Sequence, residues 1–420
     1  MGRVDSLSTL AGISCVLLVI RLTEVSSITR AFRPMIVCGI VCLAALLFSG
    51  SRARLSKTIA DPSVRAYLLL FTVAAIGTPF GVWPGQSLGI LQSVLPFPLI
   101  LLMTLAAVTG GNASLERILR CFVVGSFFGA VITLLLSSQL TQGGRLGSAT
   151  SYDPNDLAAL FALTVPITLG VASRAGAAVK MFSYGTAALL VALLFQTGSR
   201  GGLIALMVGS TVYLLGQSAG KAIRMLVLIA VLAPISWGIA PPQIRERLAS
   251  VMETETDYNS TSRTGRVAIW KRGATYMVAN PVLGVGLGNF AVAEGNFNES
   301  AGTRGAWLNA HNIFVQVGAE LGVFGLAAFL FIIGRSAALG LRRWSLWGSR
   351  PQDRPELLAA LASFVSSGMF LSHGYSTLFP FVAGICVISA SGTVTRLNRT
   401  PPTGPAKRNV RGGVSASVTR

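Results

Sequence analysis

Charge is scarce in this chain. Only 12% of its 420 residues are Asp, Glu, Lys or Arg, about half the share of an ordinary soluble domain. Acids are scarcer than bases, 15 against 34, and histidine occurs twice, at His311 and His373. The five cysteines, Cys15, Cys38, Cys42, Cys121 and Cys386, fall in apolar runs with no CxxC pair. Neither a disulfide framework nor a structural metal site is therefore expected. The N-terminus lacks a small-residue cleavage site, so residues 7–20 read as a retained first span. No internal repeat occurs, nor any inverted pair of broken helices of the kind that marks a secondary transporter.

What the chain has is apolar length. It is 52% hydrophobic, with a mean hydropathy of +0.65. Runs such as 35–48 and 88–107 approach the roughly 20 residues that cross a bilayer core. The expected fold class is all-α, a polytopic integral membrane protein with about twelve transmembrane helices. They fall near 6–22, 34–50, 64–80, 88–109, 117–138, 154–173, 178–196, 201–217, 222–240, 311–334, 356–373 and 377–395. The domain division is N-terminal membrane helices over 1–240, one large periplasmic loop with short helices over 241–310, C-terminal membrane helices over 311–395, and a basic, disordered cytoplasmic tail over 396–420.

A net charge of +19 would point to nucleic acid in a soluble chain. Here Lys and Arg concentrate in short hydrophilic connections, as the positive-inside rule requires. The expected partners are membrane lipids, with no nucleic acid. Arg52, Arg54, Lys57 and Arg65 mark one cytoplasmic connection, and Arg335, Arg342, Arg343, Arg350 and Arg354 mark another. Arg21, Arg30 and Arg33 disagree, because this topology puts them outside.

Four polar groups then share the outer face: Arg145 to Asn155, the Ser199–Gly202 segment, the 262–312 region, and Ser372–Tyr375. Three helices should begin there, near 154–156, 200–202 and 311–312. A helix N-terminus presents unpaired N–H groups and partial positive charge, and arginine beside it adds a fork of donors suited to phosphate. Arg145 and Arg200 are therefore candidates for an anion pocket, with snorkelling to headgroups as their structural alternative. Arg263, Arg266 and Trp270 are spaced to share one helical face, and that helix should stop before Asn280–Pro281. Gly284, Gly286 and Gly288 do not match a dinucleotide fingerprint. They allow a close backbone approach or a tight loop instead. His311, at the start of a helix, should stay neutral and able to accept a proton, as a general base must. Asn312, Gln316 and Glu320 form a stripe down that helix. Periodicity puts Glu320 on roughly the opposite face from His311, and an acid at that depth calls for a partner, with arginine expected.

The motifs carry a resemblance. They are SRGG at 199–202, Arg266-x-x-x-Trp270, NPxxGxGxxNF from Asn280 to Phe290 with an extra Gly288, and HNxxxQxxxExGxxGL from His311 to Leu326. In these, and in an Asn after proline at Asn155, the chain resembles the O-antigen ligase and polymerase superfamily of bacterial inner-membrane proteins. The resemblance implies a glycosyltransferase of surface or exopolysaccharide biosynthesis, lipopolysaccharide included. Such an enzyme moves a glycan from an undecaprenyl diphosphate carrier to an acceptor hydroxyl on the periplasmic face, without cofactor or metal. It assigns catalysis to His311 as base and to Arg266 and Arg200 on the diphosphate. The residues expected to bind substrate are Arg145, Asn155, Arg263, Trp270, Asn289, Asn312 and His373. The acceptor is lipid A core, another glycan or a protein. A repeat-unit polymerase and, outside the class, a lipid-linked sugar transporter are the alternatives. A transporter needs charge along a path through the whole membrane, whereas here the polar groups cluster at one side.

Overall fold

The computed structural model describes residues 6–20, 33–48, 52–108, 111–135, 141–142, 145–147, 153–239, 242–249, 262–300, 302, 306–348, 350 and 352–397. The helices are α1 (Ser6–Ile20), α2 (Pro34–Phe48), α3 (Arg52–Ile59), α4 (Pro62–Gly77), α5 (Pro84–Ser93), α6 (Pro96–Ala107), α7 (Asn112–Leu135), α8 (Pro154–Arg174), α9 (Ala177–Gln196) and α10 (Arg200–Leu215). They continue as α11 (Ala219–Ile239), α12 (Pro242–Ala249), α13 (Arg266–Ala279), α14 (Phe290–Ser300), α15 (Ile313–Leu341), α16 (Pro355–Gly368) and α17 (Leu378–Leu397). One antiparallel hairpin, β1 (Thr141–Gln142) with β2 (Arg145–Leu146), is the only departure from an all-helical fold among the described residues. The 241–310 segment holds three of the short helices, and beyond Leu397 the basic tail lies outside the described residues.

Six helical stretches among the described residues are long and apolar enough to cross a membrane, and four more apolar helices are shorter. The six include the expected spans near 88–109, which carries a turn at Val94–Leu95 before Pro96, and 311–334, which breaks at Gly322 (φ 64°, ψ −163°). Expected span 356–373 stops at Gly368, and twelve full spans are not established among the described residues.

The helices pack around α8, in which 83% of the apolar window is buried. Small residues permit the closest approaches. A Cβ on Gly202 would come within 2.4 Å of Ala158, so α10 lies tight on α8. Gly209 leaves similar room for Ser363 of α16. Lipid-embedded helices lack water to drive them together, and this kind of close packing replaces that force. Phe379 centres the main core, with Phe329 at 4.4 Å, Phe364 at 5.6 Å and Tyr67 at 6.4 Å between ring centroids.

The two ends of α8 differ in chemistry. At its C-terminal end Arg174 pairs with Glu356 at 2.5 Å and with Glu116 at 3.2 Å, and Arg354 reaches Glu116 at 3.1 Å. This network ties α7, α8 and α16 together. At the N-terminal end lie Asp153, Asn155 and Asp156. With a rise of about 1.5 Å per residue the two ends stand roughly 30 Å apart, the thickness of a bilayer core.

Candidate active site

Asp153 starts the site. Its side chain caps α8 by accepting N–H bonds from Asn155 at 2.7 Å and Asp156 at 2.9 Å, which satisfies two of the helix's unpaired donors. The helix start expected beside Asp153–Pro154 is therefore present. Asn155 accepts from Arg145 Nη2 at 2.8 Å and from Ser199 Oγ at 3.0 Å, while Arg145 Nε donates to the Thr197 carbonyl at 2.8 Å. Ser199 in turn caps α10 through the Gly202 N–H. Arg145 and Asn155 thus join the starts of α8 and α10, and half-buried Arg200 opens α10 beside them.

The 262–312 region is fastened at several points. Arg263 was expected on one helical face with Arg266 and Trp270. Instead it precedes the Gly265 cap, in a turn where Ser262 bonds Thr264, and is exposed. Helical periodicity does not extend to it. Arg266 opens α13, which ends before Asn280–Pro281 as its sequence predicts. Trp270 Nε1 donates to the Ala310 carbonyl at 3.0 Å, pinning the chain just ahead of His311. Arg272 and the fully buried Glu294 form a two-pronged pair, closest at 2.7 Å, and the Tyr276 hydroxyl donates to the same carboxylate at 2.8 Å.

The glycine run docks onto the break in α15. At Gly322 the helix stops using its own carbonyls, and the loop takes them. Val285 N–H donates to the Ala319 carbonyl at 2.8 Å, Gly286 N–H to that of Glu320 at 3.1 Å, and Val323 N–H to Pro281 at 2.8 Å. Gly284 (φ 69°), Gly286 (φ 100°) and Gly288 (φ 70°) all lie in the left-handed region, which glycine enters without penalty. The Glu320 carboxylate accepts the N–H of Gly288 at 2.9 Å and of Phe290 at 3.2 Å. Its expected arginine partner is thus replaced by backbone from the glycine run. Asn289 is fully buried and donates to Trp83, Ser87 and Val285, so it secures this loop to the start of α5.

His311 precedes α15 rather than belonging to it. Asn312 is the cap, accepting from Phe314 N–H at 2.9 Å and Val315 N–H at 3.2 Å. His311 has φ 48°, and its N–H donates to Ser372 Oγ at 2.9 Å. That kink corrects the periodicity argument, because His311 and Glu320 face the same cavity.

The cavity has a volume of about 730 Å³. Its polar wall includes Asp153, Asp156, His311, Gln316, Glu320 and His373, and its apolar wall is built by Met35, Ile36, Ile90, Val94, Phe97 and Leu371. Arg33, the residue at odds with the charge rule, is exposed and also lines it. His373 Nε2 lies 2.7 Å from Asp156 Oδ1. Burial lowers the His311 pKa from its ordinary 6.5, and the Arg266 charge lowers it further, opposed by Asp153 and Asp156. The imidazole is thereby held toward its neutral, proton-accepting form. Among the described residues no three His, Cys, Asp or Glu side chains converge as metal ligands would.

Of the expected residues, then, His311 and His373 share the cavity, and Arg266 acts on His311 through its field. Arg145, Asn155, Trp270, Asn289 and Asn312 have polar atoms engaged in fastening the surrounding chain. Sequence reasoning missed Asp156 and Tyr375 as cavity residues. An acid in the first turn after a capped Asp–Pro was the available signal for Asp156. Residues 185–330 match the family model described as O-antigen ligase, a segment containing Arg200, Arg266 and His311. No curated protein matches the chain. Over residues 185–330 the chain is thus similar to the O-antigen ligase family.

Proposed function

We propose that this protein is a membrane glycosyltransferase that moves a glycan from an undecaprenyl diphosphate carrier to an acceptor hydroxyl at the periplasmic face of the inner membrane. The observation that carries this reading is the placement of His311. A histidine with a lowered pKa stands at a cavity with one apolar and one polar wall, beside the cationic Arg266. A lipid-linked sugar has the same division, with a hydrocarbon tail and a hydroxyl-rich head.

In the proposed reaction the acceptor hydroxyl loses its proton to His311 as its oxygen attacks the anomeric carbon. The bond from that carbon to the diphosphate oxygen breaks, and the electron pair leaves with the diphosphate. Arg266 and Arg200 stabilise the charge that gathers there. Both reactants are anchored in the membrane, which lowers the entropic cost of bringing them together. The apolar wall formed by α2, α5 and α6 would receive the polyprenyl chain. Ligation is the proposed activity, with repeat-unit polymerisation as its alternative.

His311→Ala and Arg266→Ala should each leave protein abundance unchanged while surface polysaccharide is lost or shortened. Normal glycan in both strains would overturn the assignment. In a deletion strain, accumulated long lipid-linked chains would mark a missing ligase, and single repeat units a missing polymerase.

A further inference from the structure

Between Arg272 and Glu294 the chain carries no charged side chain over 21 consecutive residues, Gly273 to Ala293. The two residues that bound this stretch bind each other, at 2.7 Å. The stretch is therefore a hairpin closed at its mouth by an ion pair and uncharged beyond it. Its descending limb is α13, and its tip is the turn from Asn280 to Gly284. On the returning limb Phe290 meets Tyr276 edge to face, with ring centroids 5.8 Å apart. α13 runs parallel to the start of α15, level by level. Trp270 bonds to Ala310, Gly273 leaves room for Val315, Gly318 leaves room for Met277, and Val323 bonds to Pro281. From Ile313 to Gly322 the helix descends about 15 Å. Arg335, paired with Asp61 at 3.1 Å, lies about 20 Å further along it. A hydrocarbon core of about 30 Å reckoned from that pair ends near Val315. The tip of the hairpin then lies about 10 Å inside it.

The surface of the hairpin suits that depth. Val278 is 81% exposed and Val282 53%, and Val323 and Phe324 beside the tip on α15 are about as exposed as Val282. In water such a patch is unfavourable, whereas against acyl chains it is not. The exposed polar side chains of the stretch, Thr275 and Asn280, donate back to the Arg272 and Tyr276 carbonyls at 2.7 and 3.4 Å. Six N–H groups from Gly284 to Phe290 likewise find carbonyl or carboxylate acceptors within the protein. Irregular backbone at membrane depth requires this, because no water is present to satisfy it.

We infer that residues 273–293 form a re-entrant hairpin, inserted into the membrane leaflet on the cavity side. Val278, Val282, Val323 and Phe324 pack against lipid acyl chains there, and the Arg272–Glu294 pair closes the mouth at the membrane surface. The expected loop over 241–310 is then not wholly outside the membrane. Gly288 and Ala291, on the returning limb, line the cavity, so the inserted hairpin supplies part of its wall at the depth of lipid. Insertion of this kind is independent of the reaction proposed above.

The test uses the full chain in lipid nanodiscs, with Val278→Cys and Val282→Cys made singly. Cys121→Ala removes the half-buried native thiol, the other four being buried, and the chain without an added cysteine gives the blank. Ser300→Cys, exposed at the end of α14, is the water control, and Phe331→Cys, half exposed midway along α15, is the lipid control. A charged, water-soluble maleimide is attacked by the thiolate, which forms in water and not in hydrocarbon. It should label Ser300→Cys fully and leave both hairpin cysteines unlabelled until the protein is denatured, although both side chains stand clear of protein. A nitroxide attached at either position through a lipid-soluble thiosulfonate should collide more with oxygen than with a nickel chelate, as at Phe331→Cys and opposite to Ser300→Cys. Labelling of either hairpin cysteine before denaturation, or a preference for nickel, would put the segment in water and overturn the insertion. A nitroxide shielded from both colliders would mean that a second copy of the chain covers the face, which overturns it as well.

Discussion

Replacing Gly284 with alanine tests how the glycine run is attached to α15. Gly284 sits at φ +69°, and a Cβ there would lie 2.4 Å from the Glu320 carbonyl carbon and 2.5 Å from the Ala319 oxygen. A left-handed conformation costs a non-glycine residue roughly 1–2 kcal/mol. The clash is with backbone, so the loop must lift. Lifting weakens the Val285–Ala319 and Gly286–Glu320 bonds, each contributing about 0.5–1.5 kcal/mol. The sum is about 2–5 kcal/mol. Gly302 is the control, since its φ is +72° and a Cβ there meets nothing within 4 Å. Its alanine variant should carry only the backbone cost, about 1–2 kcal/mol. Melting of the detergent-solubilised protein, followed by size-exclusion fluorescence after heating, reads the difference. At about 2–4 °C per kcal/mol for a large domain, Gly284→Ala should melt about 2–12 °C below Gly302→Ala. Equal melting temperatures would show that the loop does not depend on this docking.

The acid limb of kcat/KM should report His311. Activity should rise as pH passes a value below 6.5 and then level off, because the neutral imidazole is the working form. Arg266→Met removes a charge that lowers this pKa and should move the limb upward, whereas Asp156→Asn removes one that raises it and should move the limb downward. A limb that stays fixed in both variants would dissociate His311 from the titration. Arg272→Ala strands the buried Glu294 carboxylate and should destabilise the protein by about 3–5 kcal/mol. Protease resistance reads that loss, and adding Glu294→Gln should recover part of it. Trp270→Phe loses the bond to Ala310, a smaller cost of about 1 kcal/mol. It should lower kcat more than it changes the donor KM, because it loosens the chain leading to His311.

The outline of the fold was legible because apolar length and charge placement are local properties of a chain. Helix starts at Pro154 and Arg200, and the stop before Pro281, followed from capping residues and proline sterics. The convergence of His311 with His373 followed from span direction. What escaped was non-local or depended on one dihedral angle. Periodicity carried through His311 put Glu320 on the wrong side, because it cannot register a residue at φ 48° just before a cap. An arginine was expected for Glu320 because side chains are visible in a sequence and backbone donors are not. Arg33 was read as an anomaly of charge, and its place at the cavity depends on how α2 meets α5 and α6.

The junction between the glycine run and the broken helix combines main-chain bonds with the Glu320 carboxylate and the Asn289 amide. Such a seam depends on side-chain identity at Glu320, Asn289 and the glycines that let the two strands of chain meet. The residues around it can therefore vary without shifting the frame that presents His311. Exchange at the cavity's rim can then change what the cavity admits while His311 stays where it is. A rigid, sequence-tolerant mount of this kind separates what the protein acts upon from how it acts.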